Sequence, residues 1–138
     1  MPEPVLLDTC AAIWLMNGDP LSTSSQEAIA DAQRHRLGVH VSPISAWELG
    51  MLVRKNRLRL SVTPEVWFQT LITLPGVRLT PMPPELLIAS GFLPGSPPKD
   101  PADRIIAATA RAYGLTVLTR DSELIPYARA GHISAIEC

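Results

Sequence analysis

The chain is poor in soft metal ligands. Its two cysteines, Cys10 and Cys138, lie near opposite ends and have no metal-binding spacing, so a reduced, cytosolic thiol chemistry is the expectation. The three histidines, His35, His40 and His132, are scattered and give no zinc pattern either. An excess of charge of one sign is also missing. Twelve Lys and Arg against thirteen Asp and Glu leave a formal charge of −1, so any contact with a polyanion must come from a local patch. The longest uninterrupted apolar run, Cys10 to Met16, is far short of the roughly 20 residues that cross a bilayer. The opening MPEPVLLD lacks the charged and then long apolar regions of a signal peptide. A cytoplasmic protein that does not enter a membrane is expected. Neither a G-x-S-x-G elbow nor a Walker-type glycine loop is present.

What is present is the material of one domain over residues 1–138, with 46% hydrophobic residues and enough length to bury a core. No repeat, low-complexity tract or long linker divides it. Val5–Leu7, Val39–Val41 and Leu115–Thr119 read as short buried strands, with Val77–Thr80 and Ile133–Ile136 as further candidates. Helices are expected over Thr9–Met16, Ser22–Arg36, Ser42–Asn56, Thr63–Leu74 and Pro83–Ser90, and over a short stretch from Ser122 disturbed by Pro126. Gly91–Pro98 reads as a surface loop. Alternating strands and helices predict an α/β sandwich around a mostly parallel sheet.

The most informative stretch is KDPADRIIAATARAYG, Lys99 to Gly114. Asp100 can cap a helix, Pro101 fits its first turn and Gly114 closes it. Asp103 then shares a face with Ile106, Ala107 and Ala110, while Arg104 and Arg111 fall on another, toward water. A carboxylate aimed inward needs a partner, a hydrogen bond or a metal. Glu48 likewise sits among Ile44, Ser45, Met51 and Leu52 on an apolar stripe. Asp8 and Asp121 lie just after predicted strands, where open α/β sheets gather their ligands. One sheet edge would then hold Asp8, Glu48, Asp103 and Asp121. Four such acids repel one another, and a hard divalent cation, Mg²⁺ or Mn²⁺, relieves that conflict. Each acid taken alone has a plainer account: Asp8 and Asp121 as helix caps, Asp103 as a first-turn acid and Glu48 paired with Lys55. The basic cluster Arg54, Lys55, Arg57 and Arg59 supplies candidate phosphate contacts in Arg54, Lys55 and Arg57, or else a solvated helix end.

Four segments in order, LLDT, VSPISAWELG, KDPADRIIAATA and LTVLTRD, closely resemble the PIN-domain ribonucleases, and in detail the VapC-like toxins of toxin–antitoxin pairs. The resemblance covers nearly the whole chain. It implies a three-layer α/β/α domain that binds Mg²⁺ or Mn²⁺ and cuts RNA, with the family's acids falling on Asp8, Glu48, Asp103 and Asp121. It places Asp100, Thr9 and Thr119 beside them in supporting roles. It also implies a homodimer restrained by a VapB-like antitoxin. Two positions depart from the common pattern: Ala102 stands where an aromatic is frequent, and Lys99 where histidine or arginine is. Both bear on the shape of the groove rather than its acids. With no evident covalent nucleophile, direct attack by water is the simplest chemistry. A haloacid-dehalogenase-type phosphatase would need an acid at position 10, which is Cys10. A phospho-receiver module would need an acidic pair at the first strand and a lysine near the last. A catalytically silent PIN-like interaction domain is the remaining alternative.

Overall fold

The computed structural model describes residues 1–138 as seven helices around a five-stranded sheet. Strands β1 (Val5–Leu7), β2 (Val39–Val41), β3 (Val77–Leu79), β4 (Thr116–Thr119) and β5 (Ser134–Glu137) lie in the order β3-β2-β1-β4-β5. All four pairings are parallel. The chain steps from β1 to β2 in one direction, whereas β4 packs on the other side of β1. The switch in strand order therefore falls between β1 and β4, and a crevice opens there at their carboxyl ends.

The continuous apolar character of β1 reflects burial on both faces. Val5 and Leu7 join Val39, Val41 and Leu118 in one core, closed by α1 (Thr9–Asn17), α2 (Thr23–Arg34), α3 (Pro43–Arg54) and α4 (Pro64–Ile72). Leu6 and Val117 point the other way, into a second core with Ile106, Ala107, Leu124 and Tyr127. Those residues come from α6 (Pro101–Tyr113) and α7 (Leu124–Arg129). The result is the three-layer α/β/α arrangement, with α5 (Pro84–Ser90) against α6. No helix is long and apolar enough to cross a membrane.

Local chemistry sets the helix starts. Ser42 and Thr63 accept from the backbone N–H groups of Ile44 and Val66, each ahead of a first-turn proline. Asp100 accepts from the N–H of Ala102 at 2.8 Å, and Gly114 ends α6 at φ 64°, a conformation that favours glycine. Pro126 does not disturb α7. It is the third helical residue after the cap Glu123, where its missing N–H would have had no intrahelical partner.

Arg104 corrects the sequence reading. It does not face water but is half-buried, donating to the carbonyls of Ser90 (2.9 Å), Pro98 (3.0 Å) and Gly91 (3.3 Å). These bonds tie the glycine- and proline-rich loop to α6, and the Tyr127 hydroxyl adds a fourth tie at Pro94 O, 2.6 Å away. Arg111 is exposed, yet its guanidinium donates to His132 O. Arg104→Ala should therefore cost about 2 kcal/mol, the scale of hydrogen bonds from a charged donor. A thermal melt reads it; an unchanged melting temperature would show that the loop holds itself.

Candidate active site

A cleft of about 300 Å³ opens at the β1–β4 switch and is lined by Asp8, Glu48, Asp100, Asp103 and Asp121 together with Thr9, Cys10, Trp14 and Arg120. The structure thus brings all four predicted acids to one place. Each arrives by a different route. Asp8 follows β1 and caps α1, Asp121 follows β4, Asp103 stands in the first turn of α6, and Glu48 sits midway along α3.

Asp8 is almost wholly buried, with 6% of its surface exposed. One of its oxygens accepts from the N–H of Ala11 at 2.8 Å and the other from the Thr119 hydroxyl at 2.5 Å. Thr119, itself fully buried, also accepts from the N–H of Asp121 at 2.9 Å. It thereby couples the two acids that follow β1 and β4. Asp121 in turn accepts from the N–H groups of Glu123 (2.8 Å) and Leu124 (2.9 Å), opening α7. Asp8 therefore caps α1 and Asp121 accepts from two N–H groups at the entry to α7, whose cap residue is Glu123, and the same carboxylates still line the cleft. A carboxylate has about four lone-pair sites, so capping leaves acceptor capacity free.

Glu48 makes no ion pair with Lys55; the chain's one side-chain ion pair is Arg34–Asp31. Its carboxylate accepts from the Thr9 hydroxyl. Since that proton is committed, Ser45, 2.9 Å from the Thr9 oxygen, must be the donor in their contact. The relay Ser45–Thr9–Glu48 pins α3 to α1.

Asp103 differs from all of these, because its carboxylate accepts no hydrogen bond from the protein, whereas Asp8, Glu48, Asp100 and Asp121 each do. Burial, then the charges of Asp121, Asp100, Glu48 and Asp8, push its pKa up from 3.8 to about 8. Burial likewise raises Asp8 and Glu48, against the lowering effect of their threonine donors. A group of like charges raising one another in this way is the environment that a cation stabilises.

The structure adds an acid that the sequence reading overlooked. One oxygen from each of Asp103, Asp121 and Glu123 lies within 4.8 Å of the other two. Asp8 and Glu48 line the same cleft as Asp103 and Asp121. Glu123 was detectable only as a second acid just beyond Asp121; it shares no apolar stripe and follows no strand directly. Trp14 and Cys10 were detectable as an i, i+4 pair on α1. Arg54, Lys55 and Arg57 do not line the cleft. They are exposed at and beyond the end of α3, Arg54 lying six residues, about 9 Å of helix, past Glu48. The cation that does line it is Arg120.

The donor set fits a hard divalent cation. It is all carboxylate oxygen, it includes one carboxylate without a protein donor, and no histidine or buried lysine competes for it.

Known proteins share the fold and much of the sequence. The PIN domain family model matches residues 5–130. The chain is 35% identical over 122 residues to Ribonuclease VapC22 of Mycobacterium tuberculosis (strain ATCC 25618 / H37Rv), covering 87% of this chain and 88% of that protein. Two solved structures share the fold at a TM-score of 0.64: VapBC2 from Rickettsia felis bound to a promoter DNA fragment, at 14% identity and 96% of each chain, and DNA-bound VapBC from Salmonella typhimurium, at 20% identity and 97% of each chain. Matched over most of its length by the family model, and by a curated relative across nearly all of it, the chain belongs to the PIN-domain family.

Proposed function

We propose that this protein is a metal-dependent endoribonuclease of the VapC type, acting as a single domain over residues 1–138. The observation that carries the reading is Asp103: a half-buried carboxylate with no protein donor, set among four other acids that line the same cleft. The similarity to a curated ribonuclease supports the choice of substrate.

Asp103 and Asp121 are the residues assigned to hold the cation, with Asp8 and Glu48 facing it and Glu123 as an additional ligand. Mg²⁺ or Mn²⁺ bound there would polarise a phosphodiester oxygen and lower the pKa of water. The chain's own part is placement. Thr119 fixes the Asp8 and Asp121 junctions together, Thr9 orients Glu48, and Asp100 holds the start of α6 so that Asp103 faces the cleft. Arg54, Lys55 and Arg57 are kept as contacts for RNA running beyond the cleft along α3.

A VapB-like antitoxin is the partner this reading calls for, and the solved relatives are VapBC assemblies. An antitoxin arginine suits the cleft, since a guanidinium brings compensating charge and can bind a carboxylate bidentately. A homodimer is the oligomeric state proposed.

The purified protein should cleave RNA with Mg²⁺ or Mn²⁺, lose the activity in a chelator and regain it when the ion is restored. Binding of divalent ions without any cleavage would favour the silent interaction domain instead.

A further inference from the structure

Arg120 is the only cation lining the acidic cleft, yet it forms no ion pair with any of its acids. An arginine beside so many carboxylates would ordinarily settle into a bidentate pair with one of them. Two contacts hold it elsewhere. Its guanidinium donates to Pro20 O at 3.2 Å, and its central carbon lies 4.0 Å from the centroid of the Trp14 ring, well inside cation–π range. Trp14 is half-buried on α1, while Arg120 stays exposed. The wall of the cleft thus carries an indole ring anchored in the protein, with a guanidinium laid over it and open to solvent.

Such a surface suits one part of an RNA chain in particular. Unpaired bases stack on aromatic rings and on arginine planes, whereas bases inside a duplex have their faces covered by their neighbours. The positive charge also offsets the repulsion that the cleft acids exert on the incoming phosphates.

The geometry points to a nucleobase-stacking subsite on the Trp14–Arg120 pair, which takes an unpaired base of single-stranded RNA next to the phosphodiester held over the acids. This rests on the ribonuclease reading and deepens it: the base beside the cut is held on the Trp14–Arg120 pair, and Arg120 selects for a base rather than for charge alone. A purely structural Arg120, serving as a strut from the end of β4 to Pro20, predicts a change in stability and no dependence on the base.

The test is steady-state cleavage of a short single-stranded RNA and of the same RNA carrying one abasic ribose, moved stepwise past the cleavage site. For the unsubstituted protein, one abasic position should raise KM about tenfold, the scale of one stacked base, with kcat little changed. Arg120→Lys keeps the charge and loses the plane. It should raise KM about tenfold on the intact RNA and be indifferent to the abasic position, with an unchanged melting temperature. Trp14→Leu should move in the same direction, and because Trp14 is half-buried, Arg120→Lys is the deciding variant. The same ranking should appear as Kd by fluorescence anisotropy in the Asp103→Asn background, which separates binding from turnover. Arg120→Lys that matches the unsubstituted protein, or that loses kcat alone, would overturn the subsite. RNA cleavage indifferent to every abasic position would overturn it while leaving the ribonuclease reading intact. A protein that neither binds nor cleaves RNA would overturn both.

Discussion

Asp103→Asn is expected to lower RNA cleavage by about 100-fold or more while the protein stays folded. A loss of that size corresponds to about 2.7 kcal/mol in the barrier, within the range that charge stabilisation by a bound metal supplies. Asp103 is the cleanest probe in the cleft because its carboxylate accepts no hydrogen bond from the protein, so replacing it breaks no internal contact. Asp8→Asn is a less clean probe. An amide oxygen can still cap α1 by accepting from Ala11, but the amide N–H₂ then confronts the Thr119 hydroxyl, which now donates to Asp8 and also accepts from Asp121. That variant should lose both activity and about 1–2 kcal/mol of stability. Asp100→Asn should be the mildest of the three, because asparagine caps about as well as aspartate. Single-turnover cleavage of one RNA in Mg²⁺ and Mn²⁺, with a melting curve for each variant, ranks them. Folded Asp103→Asn protein cutting at the original rate would remove Asp103 from the mechanism.

The parts of this fold legible in the sequence are those set by local rules. Ser42-Pro43, Thr63-Pro64 and Asp100-Pro101 announce helix starts through cap and first-turn chemistry, and each is where a helix begins. The acids Asp8 and Asp121 were legible because each lies within two residues of the end of a short apolar strand, and the parallel sheet brings such positions to one edge. Roles that depend on contacts across the chain were not legible. Arg104 looked solvated by helical periodicity, since nothing local shows that three carbonyls of the preceding loop converge on it. Arg120 sits next to a predicted acid, yet its meaning depends on Trp14 and Pro20, roughly a hundred residues away in sequence. Glu123 joins Asp103 only because α7 begins beside the start of α6, where its carboxylate also accepts from the Lys99 N–H. The basic cluster at Arg54–Arg57 stood out by composition, but the turns of α3 carry it past the cleft.

Divalent ions should stabilise this protein more strongly at pH 8 than at pH 6, and metal-free protein should lose stability as pH rises across that interval. The sign follows from Asp103. Burial and the neighbouring carboxylates raise its pKa from 3.8 to about 8, so between those values the folded chain keeps a proton that the unfolded chain has released. Stability then falls with rising pH through linkage, with the contribution complete below about 3.8 and lost as pH passes 8. Asp8 and Glu48, both raised by burial, act in the same direction. Other groups titrate in the same range, so the informative quantity is the difference between the unsubstituted protein and Asp103→Asn. That variant carries no charge to expel and should melt higher than the unsubstituted protein in a chelator at pH 8, with the advantage shrinking toward pH 4. Binding of a cation to the native state reverses the order. At a hundredfold excess over Kd it contributes about 2.7 kcal/mol, on the order of 8 °C for a chain of this size. The effect is greatest where Asp103 can release its proton. Melting curves at pH 6 and pH 8, in chelator and in Mg²⁺ or Mn²⁺, test both halves. Equal stabilisation of Asp103→Asn and the unsubstituted protein by the ion would show that the cation binds elsewhere. A chelated variant melting no higher at pH 8 would show that the acids already coexist without one.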